Sequence, residues 1–154
     1  MILNTQTDLQ ASVEGVDQIM SEQPAAELQR INPFFLVDDV YASAEHYRDV
    51  FGFHFEQFWG EPPSFVMVRR DAIQIMLRQG TDPTRKLPRP NNTVAEHTFD
   101  AYVYVDDVDA LYRELAGRGA KLLYEPCDQP HDCREFEAED MNGYVLCFGQ
   151  DLLR

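Results

Sequence analysis

The tetrapeptide Val37-Asp38-Asp39-Val40 returns as Val105-Asp106-Asp107-Val108, 68 positions later. Each time an apolar, alternating run leads into it, and an amphipathic stretch ending in glycine follows, at Gly52 and at Gly119. A period longer than the roughly 20–50 residues of solenoid repeats marks a duplicated supersecondary unit. The chain is expected to fold as two alike halves, with a binding site between them.

Each copy reads as a strand, a helix and three strands. In the first copy, residues 31–37 predict a strand and residues 40–51 a helix with Val40, Ala44, Tyr47 and Phe51 on one face. Asp38 or Asp39 is placed to accept hydrogen bonds from the free amides of the first turn, and Gly52 ends the helix. Strands over 53–58, 65–69 and 72–78 follow, separated by Gly60-Glu61-Pro62-Pro63 and by the Arg70-Asp71 corner. The second copy predicts strands over 98–105, 121–125, 134–139 and 144–148, a helix over 108–118, and a closing hairpin turn at Asn142-Gly143.

The domain reading is an N-terminal helical arm over 1–30 and a single domain over 31–154, with modules at about 31–79 and 98–150 joined by a linker over 80–97. Leu9, Val13, Val16, Ile19 and Met20 fall at helical spacing in the arm until Pro24 breaks the pattern. The linker carries Pro83, Pro88 and Pro90 and has little to bury. The domain, with 44% hydrophobic and 12% aromatic residues in the chain, has material for a real core.

A net charge of −14 argues against nucleic acid or an anionic membrane as partner, because phosphate binding needs clustered Lys and Arg. It allows a cationic ligand, and it equally serves solubility alone. The three cysteines, Cys127, Cys133 and Cys147, show no CxxC spacing, so neither a disulfide framework nor a zinc ribbon is expected. Without a signal-peptide pattern or an apolar run of about 18 residues, the expectation is a soluble, cytoplasmic protein.

Period-two alternation assigns faces within the strands. Ile73, Ile75 and Leu77 form one aliphatic face, which turns Gln74, Met76 and Arg78 the other way. Phe99, Ala101, Val103 and Val105 likewise oppose Asp100, Tyr102 and Tyr104. One face packs on the helices. The other, apolar and aromatic with a few polar groups, suits either a small-molecule cavity or a half-wet sheet.

With these features the chain resembles the vicinal oxygen chelate superfamily, the glyoxalase, bleomycin-resistance and extradiol-dioxygenase group. The resemblance spans residues 31 to about 150 and rests on strand-VDDV-helix-glycine occurring twice, and on Glu139-Asp140-Met141-Asn142-Gly143-Tyr144, similar to that family's closing hairpin. It implies an α+β fold of two tandem βαβββ modules whose mixed sheets curl around a shared cavity. In the metalloenzyme branches a divalent ion sits there, held by side chains from the first, fourth, fifth and eighth strands.

Those positions fall on Asn32, Gln74, Asp100 and Cys147. Two of the four are neutral amides that coordinate weakly, and a thiol in an apolar pocket tends to stay protonated. His97, three residues before Asp100, falls on the opposite strand face, and His46, His54 and His131 lie on a helix, an early strand and a loop. The expectation is a cavity with no cofactor and no catalytic residue, a divalent metal being the alternative.

By this resemblance the chain sits in the bleomycin-resistance-like branch, whose members sequester a ligand. The expected cavity is lined by Asn32, Phe34, Trp59, Phe65, Gln74, Met76, Arg78, Asp100, Tyr102, Tyr104, Glu137 and Cys147. Its rings would stack a flat heteroaromatic group, while Asp100 and Glu137 would pair with a cation. Glu135, Glu137 and Glu139 alternate with Phe136 and Ala138 and so share a face. The competing reading is a metal-dependent lyase, isomerase or dioxygenase. The partners expected are a small molecule and, on resemblance, a second copy in a homodimer.

Overall fold

The computed structural model describes residues 26–82, 84, 87 and 90–154; the expected N-terminal helical arm lies outside them, apart from its last few residues. The chain divides into two units, 1–31 and 32–154, and the duplicated halves make up the second.

The first half comprises β1 (Phe34–Val37), α1 (Val40–Asp49), β2 (Phe58–Trp59), β3 (Phe65–Arg70) and β4 (Ile73–Gln79). The second comprises β5 (Ala101–Tyr104), α2 (Val108–Gly117), β6 (Lys121–Leu122), β7 (Cys127–Asp128), β8 (Cys133–Glu139) and β9 (Val145–Asp151). The sheets match in plan. The first runs β1-β4-β3-β2 and the second β5-β9-β8-β6, with β7 added on β8; β1 and β4 pair in parallel, as do β5 and β9.

The repeated VDDV has a local purpose in both halves. Asp39 accepts hydrogen bonds from the Tyr41 and Ala42 amides, and Asp107 from that of Ala110. The second aspartate of each motif is therefore the cap. A further repeat appears in the last strand of each half: Gln79 accepts from the Val40 amide and Gln150 from that of Val108. These contacts satisfy donors that an α-helix leaves free at its start. Replacing Asp39 with alanine is expected to cost about 1 kcal/mol, read as a lowered urea midpoint with an unchanged m-value.

The expectation that the sheets curl around a shared cavity is corrected here. Neither sheet closes on itself, and no strand of one pairs with a strand of the other among the described residues. The physical reason is that both halves contribute to one packed cluster. Phe35, Val37, Tyr47, Val66, Ile75 and Leu77 of the first half join Leu115, Phe136, Leu146 and Phe148 of the second, so side chains fill the junction.

Specific contacts lock that junction. The rings of Phe35 and Tyr144 stack at 4.2 Å between centroids, and the Tyr144 hydroxyl donates to the Leu36 carbonyl at 2.8 Å. Arg70 donates to the Phe51 carbonyl and, across the halves, to Glu114, each at 2.7 Å.

The predicted strand over 53–58 is mostly not laddered. Only His54 bridges to Arg69, and Phe58 opens β2. Ring packing holds the stretch instead, with Phe55 against Phe58 at 5.3 Å and Phe58 against Tyr41 of α1 at 4.4 Å.

Candidate functional site

Strand β8 builds the site. Phe136 and Ala138 are fully buried in the core, which turns Cys133, Glu135, Glu137 and Glu139 to the opposite face. The alternation continues one step before the strand, to His131 in the turn from β7. There Asp132 adopts a left-handed φ of 59° and the Gln129 amide donates to the Cys133 carbonyl, closing the hairpin. A ligating atom from each of His131, Cys133 and Glu135 lies within 4.8 Å of the other two.

Imidazole, thiolate and carboxylate are the donors that zinc and neighbouring divalent ions accept at about 2.0–2.3 Å. Three protein donors leave a fourth position open, the arrangement of catalytic rather than structural zinc. The expectation of no cofactor is therefore corrected. The cluster is hidden because His131 reads as a loop residue and the alternating run reads as beginning at Arg134; the signal is His-x-Cys-x-Glu, which extends the glutamate alternation by two steps.

Glu135 is only 6% exposed despite lying on the face away from the core. Tyr102 covers it, donating its hydroxyl to Oε1 at 2.6 Å, while His131 Nε2 lies 2.8 Å from the same oxygen. Burial together with the Glu135 and Cys133 contacts raises the Tyr102 hydroxyl, so it remains a donor at neutral pH. Next along β8, burial raises the Glu137 carboxyl against the opposing pull of a hydrogen bond from Tyr124.

A recess of ≈ 720 Å³ opens over this face, walled by His131, Glu135, Glu137 and Tyr124 on one side and by His97 and Phe99 on the other. Beside it runs a row of rings, Phe99 to Tyr102 at 5.5 Å and Tyr102 to Tyr104 at 4.9 Å. A second cavity, ≈ 500 Å³, lies between the Arg70-Asp71 corner and α2. Core side chains such as Phe51, Leu115 and Phe148 wall it, and its one cation, Arg70, is already held by Glu114. The candidate ligand residues His131 and Glu135 wall the first recess and not this one.

The residues expected from the sequence fall on two separate faces. Phe34, Trp59, Phe65, Gln74, Met76 and Arg78 are on the first sheet, with Asn32 just before it. Phe65 gathers Phe34 at 6.2 Å and Trp59 at 5.5 Å. Gln74 accepts from Arg69 at 2.9 Å. Tyr102, Tyr104, Glu137 and Cys147 are on the second sheet, and of the twelve only Glu137 lines the recess.

Asp100, just before β5, spends both carboxylate oxygens on backbone amides, those of Asn91 and Val145, each at 2.9 Å. Burial first, then Glu135 and Glu137, push the Cys147 thiol up to about 12. The four positions implied by the resemblance, Asn32, Gln74, Asp100 and Cys147, thus offer two amides, a committed carboxylate and a protonated thiol. They do not fit a divalent ion.

The raised Cys147 thiol has a pH consequence. The folded state holds this proton more tightly than the unfolded chain, so stability is full below the unfolded value near 9 and falls as pH rises towards 12. The decline in urea midpoint above pH 9 is expected to be shallower in Cys147→Ala. Iodoacetamide at pH 8 should label exposed Cys127 in the folded protein and buried Cys147 only after unfolding.

Residues 28–148 match the model of the Glyoxalase/Bleomycin resistance protein/Dioxygenase superfamily. Among solved structures, TioX from Micromonospora sp. ML1 aligns with a TM-score of 0.62 at 19% identity, covering 81% of this chain and 100% of that one. A bleomycin-binding protein from bleomycin-producing Streptomyces verticillus, complexed with copper(II)-bleomycin, aligns at 0.59 with 25% identity, covering 80% and 96%. Lactoylglutathione lyase from Agrobacterium tumefaciens aligns at 0.58 with 20% identity, covering 86% and 98%. A binding protein and a lyase stand side by side here, so no branch is singled out. No curated protein matches the chain. Among the described residues, no helix is long and apolar enough to cross a membrane.

Proposed function

Because the chain belongs to the Glyoxalase/Bleomycin resistance protein/Dioxygenase superfamily, we propose that it is a metal-dependent enzyme of the lyase, isomerase or dioxygenase kind, acting on a small molecule in the recess over β8. The observation that carries this reading is the convergence of His131, Cys133 and Glu135 within 4.8 Å. His131, Cys133 and Glu135 would hold a divalent ion, which would supply Lewis-acid polarisation of a substrate oxygen.

The chain's own residues do the rest. Phe99 presents a ring to the recess for an aromatic substrate, with the Tyr102 ring packed behind it at 5.5 Å. Glu137, two residues along the same face from Glu135, holds its proton more readily than an exposed carboxyl and is the group to give or take one at its carboxylate oxygens. The site lies in the domain over 31–154, with His131, Cys133, Glu135 and Glu137 in the module at 98–150 and His97 of the linker on the facing wall. The three free thiols suit a reducing, cytoplasmic setting, and the 55% exposed ring of Phe34 on the first sheet supports a homodimer in which a second copy covers that face.

A second reading is favoured by the ring row: the recess sequesters a flat aromatic ligand without transforming it, as in a bleomycin-resistance-like branch. Metal analysis of protein purified without chelator, followed by assay with a catechol and with a glutathione hemithioacetal, separates the two. About one divalent ion per chain with turnover supports the enzyme. A bound ion with saturable thermal stabilisation and no product supports sequestration. Protein that takes up no divalent ion after dialysis against each overturns the metal centre.

A further inference from the structure

We infer that Tyr102 is the positioning residue of this centre: laid across the sheet in the space left by Gly149, its phenol holds the Glu135 carboxylate in place beside His131 and Cys133. The inference rests on the metal reading above and assigns a duty to two residues that bind no metal.

The argument begins with strand order. Tyr102 is on β5 and Glu135 on β8, and β9 runs between them, so the two strands are not neighbours. Tyr102 is in register with Cys147 of β9, while Glu135 is in register with Gly149 of the same strand. To reach Glu135, the Tyr102 ring must lie diagonally across β9 at position 149. A Cβ built on Gly149 would coincide with the Tyr102 hydroxyl and the adjoining ring carbon. Glycine is the one residue that leaves this path open. The rings of Phe99, just before β5, and Tyr104 pack against it at 5.5 and 4.9 Å.

Hydrogen-bond accounting shows what the reach achieves. Glu135 is 6% exposed, and its side-chain partners among the described residues are Tyr102 and His131, both at Oε1. His131 is anchored only in a hairpin turn and its side chain is 61% exposed, so it cannot by itself fix a carboxylate. The phenol can, because it is neutral, donates one hydrogen bond to Oε1 and comes from a strand of the sheet, its ring laid against Gly149. A ligand whose outer partner fixes its orientation binds metal more tightly, and losing such a partner costs about 10–100-fold in affinity.

The test loads wild-type protein, Tyr102→Phe and Gly149→Ala with Co²⁺, reads the visible absorption bands of the ion, and measures affinity by competition with a chelator. Tyr102→Phe keeps the ring and removes only the hydroxyl. It is expected to melt within a few degrees of wild type without metal, to bind Co²⁺ about 10–100-fold more weakly, and to shift the bands. Gly149→Ala displaces the ring from the other side and is expected to show the same band shift, which keeps the inference testable should either variant fold poorly. A Tyr102→Phe protein with wild-type bands and affinity overturns the positioning role while leaving the metal centre standing. Wild-type protein that binds no Co²⁺ overturns both.

Discussion

Cys133→Ser is expected to lower the affinity for Zn²⁺ by at least about a hundredfold, and Glu135→Gln to do the same, while Cys147→Ser and Gln74→Ala are expected to leave it within about twofold of wild type. The contrast follows from which donors are available. Loss of an outer partner alone costs about 10–100-fold, so removing a thiolate or carboxylate that touches the ion must cost more. Cys133 and Glu135 face the ion position from one strand face, with His131 two residues before. Burial and the nearby glutamates hold the proton on the Cys147 thiol, and Gln74 lies on the other sheet, bonded to Arg69. Titration of each variant with Zn²⁺ in the presence of a competing chromophoric chelator reads all four affinities on one scale. An affinity lost in Cys147→Ser and kept in Cys133→Ser would return the ion to the positions implied by the resemblance.

The halves were legible because the residues that start a helix are few, and the same solution was used twice. VDDV marked both N-caps, although only the structure shows that the second aspartate does the capping and that Gln79 and Gln150 complete it. Faces were legible too. Ile75 and Leu77 are buried with Ile73 packed beside them, and the three glutamates of β8 share a side. Alternation tells which side chains share a face, but not what covers that face. It therefore could not distinguish a hollow between the sheets from a packed junction, nor reveal that Asp100 is spent on two backbone amides 45 residues or fewer away. The ligand cluster was missed where the regular pattern meets a turn. Strand β7 is two residues long and carries no pattern of its own, so only the His-x-Cys-x-Glu spacing, read across a turn, places His131 on the same face as Glu135.

Asp140→Ala is expected to destabilise the protein by about 3–5 kcal/mol, a large part of the roughly 5–15 kcal/mol that separates a folded domain from its unfolded state. Asp140 opens the closing hairpin and is 3% exposed. Its Oδ1 accepts from the Asn142 and Tyr144 amides at 2.8 and 2.9 Å, and its Oδ2 accepts from the Tyr47 hydroxyl at 3.0 Å. Alanine strands all three donors, and the one on α1, Tyr47, is one of the links between the halves. Tyr47→Phe should cost less, about 1–2 kcal/mol, because the carboxylate keeps its two amides. Asp140→Asn separates shape from charge. Burial raises the Asp140 carboxyl above its ordinary value despite the three hydrogen bonds that oppose the shift. Its stabilising contribution is thus complete below the unfolded pKa and declines as pH rises through the folded one. Asparagine cannot ionise, so the gap in urea midpoint between wild type and Asp140→Asn should be widest in acid, below the ordinary carboxyl value, and narrow as pH rises. A gap that widens with pH would mean that the charged carboxylate, and not its shape, is what the closing hairpin requires.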